Sequence, residues 1–299
     1  AAHLVEVARR RANRKADRDT YQAMEGFVHN LNTMHSRAGA QTPFSSINYG
    51  TDTTPEGRMV IRNILLATDA GLGHGETCIF PIHVFKVKEG VNYNEGDPNY
   101  DLFKLSCKVS AKRLFPNYIF LDAPFNLQYY KPGRPETEVA TMGCRTRVYE
   151  NIAGEKSSLG RGNLSFTTMN MPRLAIEARI KAESLEESGK KEAIERKAKE
   201  IFIESVHALS ELIAEQLYAR YQYQRTALAR QFPFMMGNDV WKGGGKLSPN
   251  DQVGDVLRQG TLGIGFIGGH NAMVALYGEG HGHSQKAWDT LYEAVMEMN

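Results

Sequence analysis

The sequence predicts an α/β protein, either an α/β barrel or a domain built on a parallel sheet. Strand-like apolar runs alternate with amphipathic helical stretches through residues 4–170, and this alternation is typical of those two architectures. Turn-forming glycine and proline residues separate many of the runs. With 299 residues, of which 41% are hydrophobic and 23% charged, the chain is long enough to bury a large core.

Hydrophobic spacing and end signals define the elements of the first half. Residues 4–35 carry apolar side chains at helical spacing. Thr54 can cap a second helix, Pro55 suits its first turn, and Gly71 ends it. The predicted helices are 4–35, 54–70 and 100–114, and the predicted strands are 44–50, 79–87, 118–121 and 138–141.

The second half is predicted to be mostly helical. Residues 173–231 are rich in Ala, Glu, Lys, Arg and Leu and indicate two helices, broken near Ser188-Gly189, whose charged residues form a solvated face. The other predicted elements are a strand at 164–169, a loop at 231–251, a helix at 252–259, a glycine-rich strand at 262–267 and a final pair of helices.

Charge and hydropathy exclude several classes of protein. Lys and Arg total 36 against 34 for Asp and Glu, a net charge of +2, so we expect neither direct nucleic-acid binding nor an anionic membrane surface. No window has the length and purity of a transmembrane helix and the start lacks a signal-peptide pattern, so a cytoplasmic location is expected. The chain begins without Met and stops within an amphipathic pattern, so both ends are expected to be cuts through a longer protein.

The three cysteines, Cys78, Cys107 and Cys144, are far apart and odd in number. A disulfide framework is not expected in such a chain, and these three alone do not make a zinc site. Without further context each is interpreted as a small buried hydrophobic residue.

Three other patterns each have two interpretations. The glycines of 263–268 match a dinucleotide-binding pattern but lie inside an apolar strand, which favours close approach of another backbone or a ligand. His270, His281 and His283 could offer imidazoles to a metal, although a glycine-flanked exposed loop is favoured. The polar residues of 29–37 form either a buried hydrogen-bond network or the wall of a cavity.

The loop around Cys144 is the best candidate for chemistry. Gly143 allows a sharp turn next to the thiol, and Arg145 and Arg147 place positive charge nearby, which could serve phosphates or stabilise a thiolate. These residues alone leave open a nucleophile of low pKa, a redox thiol or a packing residue.

Several long strings resemble one family, the anaerobic (class III) ribonucleoside-triphosphate reductases, which are glycyl-radical enzymes. The similarity runs through essentially the whole chain. The strings are His29-Asn30-Leu31-Asn32-Thr33-Met34-His35-Ser36-Arg37-Ala38-Gly39-Ala40-Gln41, Pro43-Phe44-Ser45-Ser46-Ile47-Asn48-Tyr49-Gly50-Thr51-Asp52-Thr53, Leu121-Asp122-Ala123-Pro124-Phe125-Asn126, Met142-Gly143-Cys144-Arg145-Thr146-Arg147 and Gly160-Arg161-Gly162-Asn163-Leu164-Ser165-Phe166.

The resemblance implies part of a ten-stranded α/β barrel, built as two antiparallel halves of five parallel strands with helices outside. Residues 1–299 would be a segment of this single catalytic barrel domain, and a finger loop would carry Cys144 to the barrel centre. The implied activity is reduction of ribonucleoside triphosphates: a glycyl radical generates a thiyl radical on Cys144, which takes the 3′-hydrogen of the ribose, the 2′-hydroxyl leaves as water, and the 3′-hydrogen returns.

The resemblance also implies partners and contacts for this chain. Expected partners are a ribonucleoside triphosphate, nucleotide effectors, a radical-SAM activating enzyme and a second subunit in a homodimer. Asn163 is the first choice to act with Cys144 by bonding the ribose hydroxyls. The expected substrate-binding residues are Ser45, Ser46, Asn48, Asn170, Gly263 and Gly265, the two glycines letting phosphates approach backbone N–H groups.

The chain departs from the family pattern in several places. It lacks the N-terminal regulatory cone, the front of the barrel, and the C-terminal region with the radical glycine and a structural zinc, so no metal is expected here. Cys78 stands where proline is expected and is interpreted as structural, and residues 268–271 differ from the expected Gly-Leu-Ala-Glu, which leaves a ligand role for His270 in doubt. Two alternatives stay open: a pyruvate formate-lyase type of glycyl-radical enzyme, and a nucleotide-binding or assembly module without its radical domain.

Overall fold

The structure is a computed structural model that describes residues 2–36, 39–143, 146–151, 154 and 156–298. Arg37, Cys144 and Arg145, which the sequence analysis singled out, lie outside the described residues. The chain divides into two compact units, Ala1–Leu159 (unit 1) and Gly160–Asn299 (unit 2). Each unit has its own hydrophobic core and is described by itself.

Unit 1 alternates helices and strands as the sequence predicts. Its elements are α1 (Ala2–Thr33), β1 (Ser46–Tyr49), α2 (Pro55–Ala70), β2 (Ile82–Val87), α3 (Tyr100–Arg113), β3 (Asn117–Phe120), α4 (Pro124–Leu127), β4 (Ala140–Met142) and β5 (Thr146–Val148). The predicted helices and strands are confirmed to within a few residues. Helix α4 and strand β5 are not predicted from the sequence: α4 has only four residues, and β5 is defined by its pairing with β4.

A three-stranded parallel sheet in the order β1-β2-β3 is the centre of unit 1. Helices α2 and α3 bury Leu65 and Val109 against Phe85 of β2, and none of these three side chains is exposed to solvent. The hydroxyl of Thr54 accepts a hydrogen bond from the backbone N–H of Gly57 at 3.1 Å, which confirms the predicted cap of α2. Strands β4 and β5 form a separate antiparallel hairpin.

Unit 2 packs four main helices on a pair of parallel strands, β6 and β7. Its elements are β6 (Gly162–Asn170), α5 (Met171–Leu185), α6 (Lys191–Arg225), α7 (Pro233–Gly237), β7 (Gly260–Ile267), α8 (Gly269–Tyr277), α9 (Gln285–Met296) and 3-10 turns at Ala229–Gln231, Gly244–Lys246 and Gly254–Gln259. The predicted helix break and final helix pair are confirmed. The second long helix ends before 231, and the predicted helix at 252–259 is a 3-10 turn.

The α/β class is therefore confirmed, with parallel strands and outer helices in both units. The described residues form seven strands in three separate groups, so a ten-stranded barrel stays a prediction that needs strands from outside this chain. The helices of the described part include none that is long and apolar enough to cross a membrane.

The central strand of the unit 1 sheet carries a buried, neutral histidine, His83. His83 of β2 has no exposed surface; its Nδ1 lies 3.1 Å from the Tyr49 hydroxyl and its Nε2 lies 3.4 Å from the Thr68 hydroxyl. Because Thr68 donates its one proton to the Ile64 carbonyl at 2.7 Å, its oxygen accepts from Nε2–H and Nδ1 accepts from Tyr49. Burial lowers the pKa of His83 from 6.5 to about 4.

We expect the stability of unit 1 to fall as the pH is lowered from about 6.5 to about 4. In this window the unfolded chain protonates His83 and the folded chain does not, so protons favour unfolding; the pKa difference corresponds to about 3 kcal/mol. Urea unfolding followed by circular dichroism at a series of pH values measures the slope. His83→Gln, which cannot titrate, should remove that part of the slope, and an unchanged slope in this variant would contradict the assignment.

Candidate functional site

The hairpin of β4 and β5 carries the segment that contains Cys144. Its register pairs Thr141 with Arg147 and Met142 with Thr146, which leaves positions 143–145 to connect the strands. Gly143 has a φ of +57°, a backbone region that favours glycine, as the sequence analysis expected. The position and environment of Cys144 itself are not described.

Two polar side chains of β1 bind the first strand of this hairpin. The amide of Asn48 donates to the Thr141 carbonyl at 2.8 Å and accepts from the Thr141 backbone N–H at 2.9 Å and its hydroxyl at 3.3 Å. Two residues along each strand, the Ser46 hydroxyl accepts from the Gly143 N–H at 3.2 Å. Asn48 therefore bonds to β4 as a neighbouring strand would.

The second strand of the hairpin is held from the other edge of the sheet. The Arg147 guanidinium donates to the Asn126 side-chain oxygen at 2.8 Å and lies over the Phe125 ring at 5.0 Å. Asn126 is 3% exposed, and its amide nitrogen donates to the carbonyl of Phe120, the last residue of β3, at 2.8 Å. Segments 43–53, 121–126 and 142–147, which carry the family resemblance, therefore meet at one residue pair (rung) of the hairpin, Thr141 with Arg147.

An ion-pair cluster fixes the segment that enters the hairpin. Glu138 is 8% exposed, and its carboxylate lies 2.9 Å from the Lys88 ammonium and 3.4 Å from the Lys86 ammonium. Burial lowers the pKa of Lys86, and the charge of Glu138 opposes that shift. A carboxylate this deeply buried needs both partners, so the segment before β4 is anchored to β2 and its continuation.

The predicted substrate contacts in unit 1 are placed close together, but they are engaged with protein groups. Ser45 donates to the Pro43 carbonyl at 3.2 Å, while Ser46 and Asn48 bond to β4. A role for these three in substrate binding stays a prediction, and the structure gives Asn48 and Ser46 a second task in holding the hairpin.

The predicted contacts in unit 2 lie along the strand pair β6 and β7. Phe166, Thr168 and Asn170 of β6 are exposed, and the register places Gly263 and Gly265 of β7 opposite Phe166 and Thr168. Paired residues of neighbouring strands share a face, so the glycines and Asn170 lie on one exposed face of the pair. The Asn170 side chain also accepts from the Arg173 backbone N–H at 3.2 Å and caps α5.

Asn163 lies near the start of β6 and is exposed. It contributes to the lining of a cavity of about 430 Å³, whose other walls include Leu164, Phe232 and Trp241. Its side chain makes no hydrogen bond with the part of the chain that the structure describes, so its amide is available to a small molecule.

Packing within unit 2 requires some of the glycines in and just after β7 but not others. A side-chain carbon at Gly260 would approach Leu164 to 2.3 Å, and one at Gly268 would approach Pro172 to 2.4 Å, so packing inside the unit demands both glycines. A carbon at Gly263 or Gly265 would meet its nearest neighbour at 3.5 or 3.6 Å, an ordinary contact. Nothing inside unit 2 therefore requires these two, and an open backbone on an exposed face suits the approach of a ligand.

Two helices begin at the edge where these strands end. Helix α5 starts immediately after β6, and α8 starts two residues after β7. The strands are parallel, so both helix N-termini lie at the same edge, where their N–H groups favour a negative charge. Helix α8 has no side-chain cap and no acidic residue in its first turn.

Two further sequence patterns, the glycines of 263–268 and the histidines near the C-terminus, lie in and around β7, α8 and α9. Helix α8 leads to α9 and not to a further strand, so the glycines of 263–268 do not form a dinucleotide-binding βαβ unit. His270 lies in α8 with its ring centroid 5.5 Å from that of His281, and within the described ranges no group of three His, Cys, Asp or Glu side chains could hold a metal ion.

The polar stretch at 29–37 contains a hydrogen-bond clamp. The Asn32 side-chain oxygen accepts from the N–H groups of Ile79 and Phe80, and its nitrogen donates to the Phe80 carbonyl at 2.6 Å. This favours the network interpretation for Asn32. Cys78 is buried, as interpreted from the sequence, whereas Cys107 is exposed on α3 and the expectation that it is buried was wrong.

The contacts of Asn126 and Thr141 are not predicted from the sequence, and Arg147 was interpreted as a positive charge for phosphates or a thiolate rather than as a partner of Asn126. Asn126 belongs to a string that resembles the family, but nothing in the local sequence indicates its hydrogen bonds with Phe120 and Arg147. The same holds for Thr141, whose backbone and hydroxyl both bond to Asn48, 93 residues away in the sequence.

Comparisons with known proteins show the family to which the chain belongs. Residues 3–299 match the family model described as "Anaerobic ribonucleoside-triphosphate reductase". The chain is 30% identical over 275 residues to the anaerobic ribonucleoside-triphosphate reductase of Escherichia coli K12, covering 90% of this chain and 35% of that protein. It is 31% identical over 268 residues to that of Enterobacteria phage T4, covering 88% and 41%. The chain thus spans less than half the length of these relatives.

Proposed function

Because the chain belongs to the anaerobic ribonucleoside-triphosphate reductase family, we propose that it supplies the radical cysteine and part of the substrate cavity of such a reductase. The complete protein would reduce ribonucleoside triphosphates to 2′-deoxyribonucleoside triphosphates in the absence of oxygen. The observation that carries the proposal is the hairpin of β4 and β5, which joins three of the strings shared with the family and whose connection contains Cys144.

The chemistry assigned to Cys144 is hydrogen-atom transfer. In the complete protein, a glycyl radical installed by a radical-SAM activating enzyme would supply the radical, and the Cys144 thiol would give up its hydrogen atom to it. The thiyl sulfur then takes the hydrogen atom from C3′ of the ribose, and the 2′-hydroxyl leaves as water. A reductant, formate or a small dithiol protein, supplies two electrons, the reductant and solvent supply the two protons that balance the loss of water, and the thiol of Cys144 returns the hydrogen atom to C3′.

Hydrogen-atom transfer of this kind needs a sulfur held in near-contact with its target and a site closed to water and oxygen. A short hairpin that is hydrogen-bonded to a parallel sheet supports the proposal on the first point. We propose that the strands of both units belong to a ten-stranded α/β barrel completed by the rest of the protein, which meets the second. A homodimer with nucleotide effectors is the assembly expected of the whole protein.

The exposed face of β6 and β7 is the proposed substrate surface in unit 2. Asn163 can bond the ribose hydroxyls, because its amide offers both donors and an acceptor. The open backbone at Gly263 and Gly265 leads towards the edge where α5 and α8 begin, which suits the negative triphosphate. Asn170 caps α5 at this edge and can contribute its amide N–H groups.

We expect Gly265→Ala to weaken substrate binding without weakening the fold. The added carbon makes only ordinary contacts within unit 2, and replacing glycine stabilises by up to ~1 kcal/mol through the unfolded chain. If a nucleotide lies against this backbone, the same carbon should raise KM about tenfold. Gly237→Ala, where the added carbon meets nothing within 4 Å, is the matched control and should leave KM unchanged. Equal KM values for both variants would contradict the proposed surface.

The function itself is tested on the full-length protein. It should be activated anaerobically with a radical-SAM activating enzyme, checked for a glycyl radical by electron paramagnetic resonance, and given the four ribonucleoside triphosphates with each reductant. The expected product is a deoxyribonucleoside triphosphate. A radical that forms but turns over only acyl substrates would favour the pyruvate formate-lyase type of enzyme, and absence of any radical glycine downstream would favour the binding-module alternative.

A further inference from the structure

We infer that Asn48 and Arg147 are positioning residues for Cys144: together they clamp one rung of the hairpin between the two edge strands of the unit 1 sheet. The inference rests on the proposed function of Cys144. It goes beyond it by assigning to two side chains outside the reacting groups the task of setting where the thiol stands.

The two clamps act on the same rung. Thr141 and Arg147 are paired across the hairpin. Asn48 of β1 bonds to the Thr141 backbone, and Asn126 of α4 accepts a hydrogen bond from the Arg147 side chain. Asn126 is itself bonded to the carbonyl of Phe120, the last residue of β3. Because the sheet order is β1-β2-β3, the hairpin is fastened to both edges of the sheet. One further pair, Met142 with Thr146, separates this rung from the connection at 143–145.

The Asn48 clamp has little freedom. Its nitrogen and oxygen bond to the carbonyl and N–H of a single residue at 2.8 and 2.9 Å, so both the sideways and the lengthwise positions of β4 are fixed. The Ser46 hydroxyl repeats the attachment at Gly143, one residue before Cys144. A loss of these bonds would let the strand move without unfolding the sheet, whose core lies around Phe85 and Leu65.

The Arg147 clamp depends on shape as well as charge. The guanidinium donates to Asn126 and lies over the rings of Phe125 and Tyr149, at 5.0 and 5.7 Å from their centroids. Stacking and a directed hydrogen bond both require the planar fork of arginine. A lysine would keep the charge but lose the planar stacking and the fixed direction of the hydrogen bond, so Arg147→Lys separates positioning from a charge that acts on phosphate or thiolate.

Small displacements matter for this chemistry. Hydrogen-atom transfer falls off steeply with distance, and a misplacement of about 1 Å can reduce a rate by roughly 100-fold. A positioning residue therefore affects turnover while radical formation and substrate affinity stay near their normal values. Those three quantities can be measured separately.

The test uses the full-length protein, activated anaerobically, with Asn48→Asp and Arg147→Lys as variants. Both should contain the glycyl radical at the wild-type yield and lose roughly 10- to 100-fold in kcat, and Arg147→Lys should also keep a KM within about twofold of wild type. Asn32→Asp is the matched control, because Asn32 is also a half-buried asparagine whose amide clamps backbone in unit 1. It should lower thermal stability by a similar amount and leave kcat unchanged.

Each other outcome is decisive. A kcat within twofold of wild type in either folded variant overturns the inference, as does an equal loss in Asn32→Asp. A raised KM with normal kcat in Asn48→Asp would instead make Asn48 a substrate contact. If Asn48→Asp does not fold, Arg147→Lys decides alone. A wild-type protein that carries the glycyl radical but reduces no ribonucleotide would refute the proposed function itself, a result distinct from active wild type with equally active variants.

Discussion

Replacing Cys144 with serine is expected to abolish deoxyribonucleotide formation while leaving the glycyl radical intact. The O–H bond of serine is much stronger than the S–H bond of cysteine, so serine cannot pass the radical to the substrate. Loss of a residue on which the whole reaction depends lowers turnover by roughly four to six orders of magnitude. The measurement is product formation by the activated full-length variant, with radical yield determined on the same sample.

Cys107→Ser is the matched control for this substitution. Cys107 is exposed on α3 and has no part in the proposed reaction, so the variant should retain wild-type turnover. Cys78 is less suitable as a control because it is buried with Val28 and Ile64, and burial raises the pKa of its thiol. Equal turnover in the Cys144 and Cys107 variants would remove the basis for the assignment.

The largest loss of stability is expected for Phe202→Ala in unit 2. Phe202 lies on α6 with no exposed surface and belongs to the core in which α5, α8 and α9 also pack. Truncating a buried phenylalanine removes its transfer free energy and leaves a cavity, which together cost about 4 kcal/mol of the free energy of unfolding. This makes the unfolded unit about a thousandfold more populated relative to the folded one.

Tryptophan fluorescence during urea unfolding measures this loss, since both tryptophans, Trp241 and Trp288, lie in unit 2. Leu212→Ala on the same helix is the control, because Leu212 is 48% exposed and its truncation should change stability far less. Similar midpoints for the two variants would show that the core around Phe202 is not what holds the unit together.

Much of the fold could be predicted from the sequence because the long elements show clear periodicity. Helix α2 could be predicted almost to the residue, since Thr54 caps it and Gly71 ends it. The end of α6 could not, because its polar pattern continues past Arg225 into 3-10 structure. Strand β5 has three residues and is defined by its pairing with β4, which is not visible in local sequence.

The sequence draws attention to some residues of the candidate site, such as Asn48 and Arg147, but not to how they are connected. The string around Asn48 attracted attention as polar residues at a strand end, and a substrate contact was the natural interpretation. Its partner Thr141 lies 93 residues away, and no pattern in the sequence indicates that pairing. The same holds for Gly265: only the pairing with Thr168 shows that a side-chain carbon at this position would make no more than ordinary contacts.

The central claim is that the sulfur of Cys144 takes and returns the 3′-hydrogen of a ribonucleotide. The most direct measurement is the fate of deuterium placed at C3′ of a ribonucleoside triphosphate and incubated with the activated full-length protein. The account predicts that the wild-type product carries most of the deuterium at C3′ of the deoxyribose and that Cys144→Ser yields no product. Deuterated product from the serine variant, or wild-type product that has lost the label, would contradict it.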